Sequence, residues 1–276
     1  MILADLLRIL SREYIRYAFI VGITMSISGA LLGVSLVLKK HSMIGDGLSH
    51  VGFGAVAVAV CAGFSPLVFA IPIVVISSFV ILWLAEKSKK IGDSAIAIFS
   101  TLALAVGYAS VELGEGTNFN IESYLYGSLL GVSLTEVIIS AAICVVVIGL
   151  YVVLYNKIFT VTFDETFSKS TGTRTALINV IISILTSLTI VIGMKVMGAL
   201  LITSLIIFPT LSARQIFKTF KSVTIFSCVF SAISFTVGLL FACIIDRLPI
   251  GSSIVFVSFI MFLICFVIGK LKKYKK

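Results

Sequence analysis

The chain has 276 residues, 59% of them hydrophobic and 12% charged, with a mean hydropathy of +1.21 and a formal charge of +9. A soluble domain carries about 25% charged residues, so no room is left for a soluble catalytic domain. The basic residues fall in short clusters between apolar runs, where they orient membrane segments rather than meet nucleic acid. The five cysteines (Cys61, Cys144, Cys228, Cys243, Cys265) stand singly in apolar runs and read as small buried hydrophobes.

In chain order, residues 1–16 come first, with Arg8, Arg12 and Arg16 at spacing four among Leu and Ile. That face predicts a helix lying at the membrane interface, followed by one transmembrane domain over 17–276. No small-residue cleavage site marks the start as a removed signal. Apolar runs of spanning length recur at 17–38, 45–63, 66–85, 93–112, 134–155, 175–194, 196–213, 222–245 and 251–269. Two of them meet at 193–196, so eight or nine crossings are predicted, in an all-α polytopic fold. The clusters Lys39-Lys40, Lys87-Lys89-Lys90, Lys157 with Lys169 and Arg174, Arg214-Lys218-Lys221, and Lys270 onward recur two spans apart. Placing all of them in the cytoplasm satisfies the positive-inside rule and puts the C-terminus inside. The loop with Glu112, Glu115 and Glu122 then lies outside, as a solvated loop or an attractor for cations or a binding protein. Residues 157–174 form the longest polar inner connector. Pro209 is expected to break or kink its span, with a short amphipathic helix following that docks a partner.

Asp46 and His50 sit at i and i+4, which share a helix face. At 1.5 Å per residue they lie about 9 and 15 Å beyond Lys40. Gly45, Gly47, Ser49, Gly52, Gly54 and Ala55 surround them, small residues that let other helices come close. A carboxylate and a neutral imidazole are ligands for zinc or manganese. Two are too few for a closed site, whereas two copies on a twofold axis supply four. The same pair also reads as a helix-pinning hydrogen bond or a proton relay. His41 reads as an interfacial cap.

The stretch "LVLKKHSMIGDGLSHVGFGAVAVA" resembles the hallmark of the membrane permease subunit of the zinc and manganese ABC importers. "KKIGDSAIAIFSTLALAVG", "NFNIESYLYGSLLGVS", "FDETFSKSTG" and "MGALLITSLIIFPTLSARQIF" resemble further segments of that family in the same order. Gly47 stands where the family usually has Ala, which is expected to loosen packing without touching the ligands. The resemblance implies a homodimer of permease subunits in the cell membrane, two ATP-binding subunits below it, and an extracellular metal-binding protein. It implies that Asp46 and His50 are metal ligands in the pathway. It also implies that Pro209, Ser212, Arg214 and Gln215 form the contact with the ATPase.

The chain has no GxxxxGK[ST] loop, so it is read as a transport subunit and not an enzyme, with hydrolysis left to a partner. No cofactor is expected to stay bound; the ion is cargo, zinc ahead of manganese or iron. A proton-coupled secondary metal transporter is the competing reading, and an intramembrane enzyme ranks last because the chain has only two histidines. Alternating access is expected, with uptake that weakens at acid pH because a metal meets only neutral imidazole.

Overall fold

A computed structural model describes residues 12–87, 92–114, 124, 126–127, 129–245 and 248–274. The described chain is helical: α1 (Glu13–Leu38), α2 (Ile44–Cys61), α3 (Pro66–Lys87), α4 (Gly92–Leu113), α5 (Leu134–Val153), α6 (Tyr155–Phe163), α7 (Glu165–Ser170), α8 (Thr175–Met197), α9 (Ala199–Ile216), α10 (Phe220–Ile244) and α11 (Ile250–Tyr274). Among the described residues nine of these, all but α6 and α7, are long and apolar enough to cross a membrane. α1 already begins at Glu13, inside the segment expected to lie at the interface; that segment up to residue 11 lies outside the described residues.

The helix ends follow from local chemistry. Ser133 and Glu136 form a reciprocal capping box at the start of α5. Asp164 accepts the Phe167 N–H at 2.8 Å, opening α7 directly after α6. The junction expected at 193–196 falls at Gly198, the single residue between α8 and α9. Its φ of +89° is a conformation glycine adopts without strain, and it lets both flanking segments be complete spans. Ile202 of α9 folds back onto Gly193 of α8, so the two helices form a tight hairpin. The α1–α2 connection, residues 39–43, is a tight turn: the His41 N–H donates to Leu36 O at 2.8 Å and the Lys40 N–H to Val37 O at 3.2 Å. This is a Schellman end, with Lys40 at the left-handed position, φ +65°.

α1, α2 and α8 are the most buried spans, whereas α3, α4, α5 and α11 turn most of their apolar surface outward. In a lipid solvent helices associate through close packing and hydrogen bonds rather than through the hydrophobic effect. The interior shows both. Ser231 of α10 donates to Ser26 O of α1 at 2.9 Å, and Ser35 of α1 pairs with Tyr151 of α5 at 3.2 Å. With each span reversing direction, the α1–α2 turn, the α6–α7 pair, the α9–α10 turn and the end of α11 gather at one end of the bundle.

Candidate functional site

The α1–α2 turn positions the site. Lys39 Nζ donates to Asn179 Oδ1 of α8 at 2.6 Å, which ties the turn to the bundle just before α2 begins. α2 starts at Ile44, so Asp46 lies in its first turn, where exposed backbone N–H groups favour a carboxylate. The helical count from Lys40 therefore overstates the depth of the pair. Residues 40–43 form a turn, and His50 lies only about 9 Å along a helix about 27 Å long.

His50 Nε2 lies 3.7 Å from Asp46 Oδ2. That is too long for a hydrogen bond, which for N–H···O closes to about 3.2 Å or less. Two ligand atoms held at about 2.1 Å by one tetrahedral ion stand roughly 3.4 Å apart. The spacing thus suits two atoms that share an ion better than two that share a proton. His50 Nδ1 is buried and has no hydrogen-bond partner. The side chains are 25% and 45% exposed in the single chain, so the pair opens outward rather than being sealed in the core. Among the described residues no three His, Cys, Asp or Glu side chains come together, and one copy contributes only this pair.

Beside the pair, α2 is packed through its small residues. Gly54 and Gly107 bring α2 and α4 into near backbone contact, and Gly45 receives Ile206 of α9. An apolar cavity of about 280 Å³ lies between α2, α3 and α4, lined by Val51, Val58, Phe69, Ile73, Phe99 and Leu102 among others. Its one hydroxyl, Ser77, makes it a poor host for an ion.

The stretch around Pro209 differs from expectation. α9 runs through Pro209 to Ile216 without forming a separate helix. A proline removes one N–H from the ladder, and here the surrounding helices hold the span together despite that loss. Pro209 and Ser212 are buried within the chain, and the Ser212 hydroxyl donates to Phe208 O at 2.7 Å. Arg214 and Gln215 are exposed at the end of the same helix. Glu112 is exposed at the end of α4, while Glu115 and Glu122 lie outside the described residues.

Two features were missed in the sequence. Glu136 pairs with Lys195 at 2.8 Å, joining the start of α5 to the last turn of α8; the Ser133-x-x-Glu136 capping box was the available signal. Tyr155, Phe159, Phe163 and Phe167 recur at spacing four through α6 and α7. The first three pack tilted or edge-on around Phe220 at the start of α10, with centroids 5.2–5.9 Å away, while Phe163 and Phe167 remain 59% exposed.

The family model of the ABC 3 transport family matches residues 11–269. The high-affinity zinc uptake system membrane protein ZnuB of Haemophilus influenzae is 28% identical over 90% of this chain and 94% of its own. The manganese transport system membrane protein MntC of Halalkalibacterium halodurans is 27% identical over 94% of this chain and 88% of its own. The solved structure of PsaBC from Streptococcus pneumoniae in complex with Fab superposes with a TM-score of 0.83 at 25% identity, covering 96% of this chain and 95% of that one. Nine apolar helices among the described residues and a match along nearly the whole length converge: the chain belongs to the ABC 3 transport family, as a multi-pass metal-transport permease.

Proposed function

We infer that this permease carries a first-row divalent ion, zinc foremost, through an ATP-driven importer in the cell membrane, and that Asp46 and His50 are the ion's ligands. The observation that carries the reading is the 3.7 Å spacing of Asp46 Oδ2 and His50 Nε2 on one face of α2. A second copy of the chain, placed against the open side of that pair, completes a four-ligand N₂O₂ set. Zinc favours such a set, and the likeness to ZnuB supports it; manganese, toward which the likeness to MntC points, or iron is the alternative cargo.

The chain has no nucleotide-binding loop, so two ATP-binding subunits supply the energy and an extracellular metal-binding protein supplies the ion. The positive-inside rule puts the α1–α2 turn, α6–α7 and the C-terminus in the cytoplasm. On that face Arg214 and Gln215 and the exposed Phe163 and Phe167 are available to the ATPase. Exposed aromatics beside charged residues such as Glu165 and Lys169 have the make-up of an interface core with a polar rim. The double variant Phe163→Ser, Phe167→Ser is expected to weaken capture of the ATPase in detergent by about tenfold or more, since interface aromatics commonly contribute about 2 kcal/mol each. The amount of permease in the membrane should be unchanged.

The function is tested by zinc uptake into vesicles that hold the permease and its ATPase. Uptake should require ATP and should survive an uncoupler that collapses the proton gradient. Uptake that dies with the gradient while ATP is maintained would instead establish proton-coupled secondary transport.

A further inference from the structure

Gly47, next to Asp46 and three residues before His50, faces α4. A Cβ placed on it lies 2.4 Å from Ile96 Cγ2 and 3.6 Å from Ile96 Cβ. Ile96 is 4% exposed and belongs to the main core. A β-branched side chain in a helix is held to essentially one χ1 rotamer, so this methyl cannot swing aside. The space left by the missing methyl at 47 is therefore already filled from the opposite helix. Glycine here does not loosen the packing, as the sequence led us to expect. It admits Ile96 and draws α4 against the helix that carries the ligands.

We propose that Ile96, seated on Gly47, is a positioning residue that sets the separation of α2 and α4 beside the ion site and thereby which divalent ion passes. The proposal rests on Asp46 and His50 being the ligands. Carbon atoms in ordinary contact stand about 3.5–4.0 Å apart, so a methyl on residue 47 drives the two helices apart by about 1 Å. α4 carries no ligand, so that shift acts by displacing α2, and with it Asp46 and His50, relative to the second copy's pair; a four-ligand set loosened in this way suits zinc less, because zinc keeps four short bonds. It suits manganese more, because manganese accepts more and longer ones.

The experiment measures uptake of zinc and of manganese by the assembled importer in vesicles, with permease quantified in the same membranes. Gly47→Ala should lower zinc uptake about tenfold or more, the scale of losing a group that orients a metal ligand, and should lower the zinc-to-manganese ratio with it. Adding Ile96→Ala should restore both the rate and the ratio, because the clashing methyl is gone. Adding Ile96→Val should restore neither, because valine keeps a branch at that position. Wild-type behaviour of Gly47→Ala overturns the proposal. So does a loss of uptake with an unchanged metal ratio, and so does equal rescue by alanine and valine. Normal zinc uptake by Asp46→Ala would instead overturn the ligand assignment beneath it.

Discussion

Replacing Asp46 with alanine is expected to abolish metal uptake while leaving the permease folded in the membrane. Only Asp46 and His50 on each copy offer strong ligands at this point, and removing one from each of two copies strips a four-ligand site of half its donors. Groups that merely orient a ligand are worth 10–100-fold, so loss of the ligand itself should exceed about 100-fold in uptake. Asp46→Asn should behave nearly as badly, because the amide keeps the shape and loses the charge. The fold is indifferent by comparison. The carboxylate is 45% exposed and lies 3.7 Å from its imidazole neighbour, and an exposed pair of this kind contributes at most about 1 kcal/mol. The check is radioactive zinc uptake normalised to permease extracted as a monodisperse species. Uptake within a few-fold of wild type sinks the ligand assignment. His50→Ala should match Asp46→Ala, because the imidazole is the other donor that each copy supplies.

The spans were legible because lipid imposes one rule on every residue that meets it. The run read as 45–63 is the helix Ile44–Cys61, and 222–245 is Phe220–Ile244. The helical spacing of Asp46 and His50 was legible for the same reason. Their depth was not, since hydropathy does not separate the turn at 40–43 from the helix that follows it. At Pro209 the break does not occur, although proline costs a hydrogen bond: the helix runs on to Ile216, because neighbouring helices in a bundle can hold a span together through that loss. Gly47 differs in another way. A missing methyl reads as a gap only while the facing residue is unknown, and Ile96 lies 49 positions further along the chain, with no local signal linking the two.

The same dependence on facing residues governs the helix crossing that supports the site. Gly29 and Gly33 lie one turn apart on α1, against Ile206 of α9. A Cβ on Gly33 would stand 2.1 Å from the Ile206 carbonyl oxygen, 2.9 Å from its carbon and 3.2 Å from its Cα. These are backbone atoms, which no rotamer change can move. Gly33→Val must therefore part α1 from α9, and α9 is the helix whose Ile206 also fills the hollow at Gly45, beside Asp46. Overpacking of this kind costs about 3 kcal/mol or more when nothing can relax, a large share of a stability of about 5–15 kcal/mol. Gly33→Val should accordingly lose uptake by losing the folded protein. It should leave little monodisperse material on size exclusion and lower the thermal aggregation midpoint by several degrees. Gly149→Ala is the matched control, because a Cβ there meets nothing within 4 Å near the end of α5. That variant should be neutral, or more stable by about 0.5–1 kcal/mol, since alanine restricts the unfolded chain more than glycine does. Gly33→Val and Asp46→Ala both silence transport, and the state of the extracted protein separates them, broken for the first and intact for the second. A Gly33→Val permease that stays monodisperse and takes up zinc would show that α1 and α9 do not pack through this crossing.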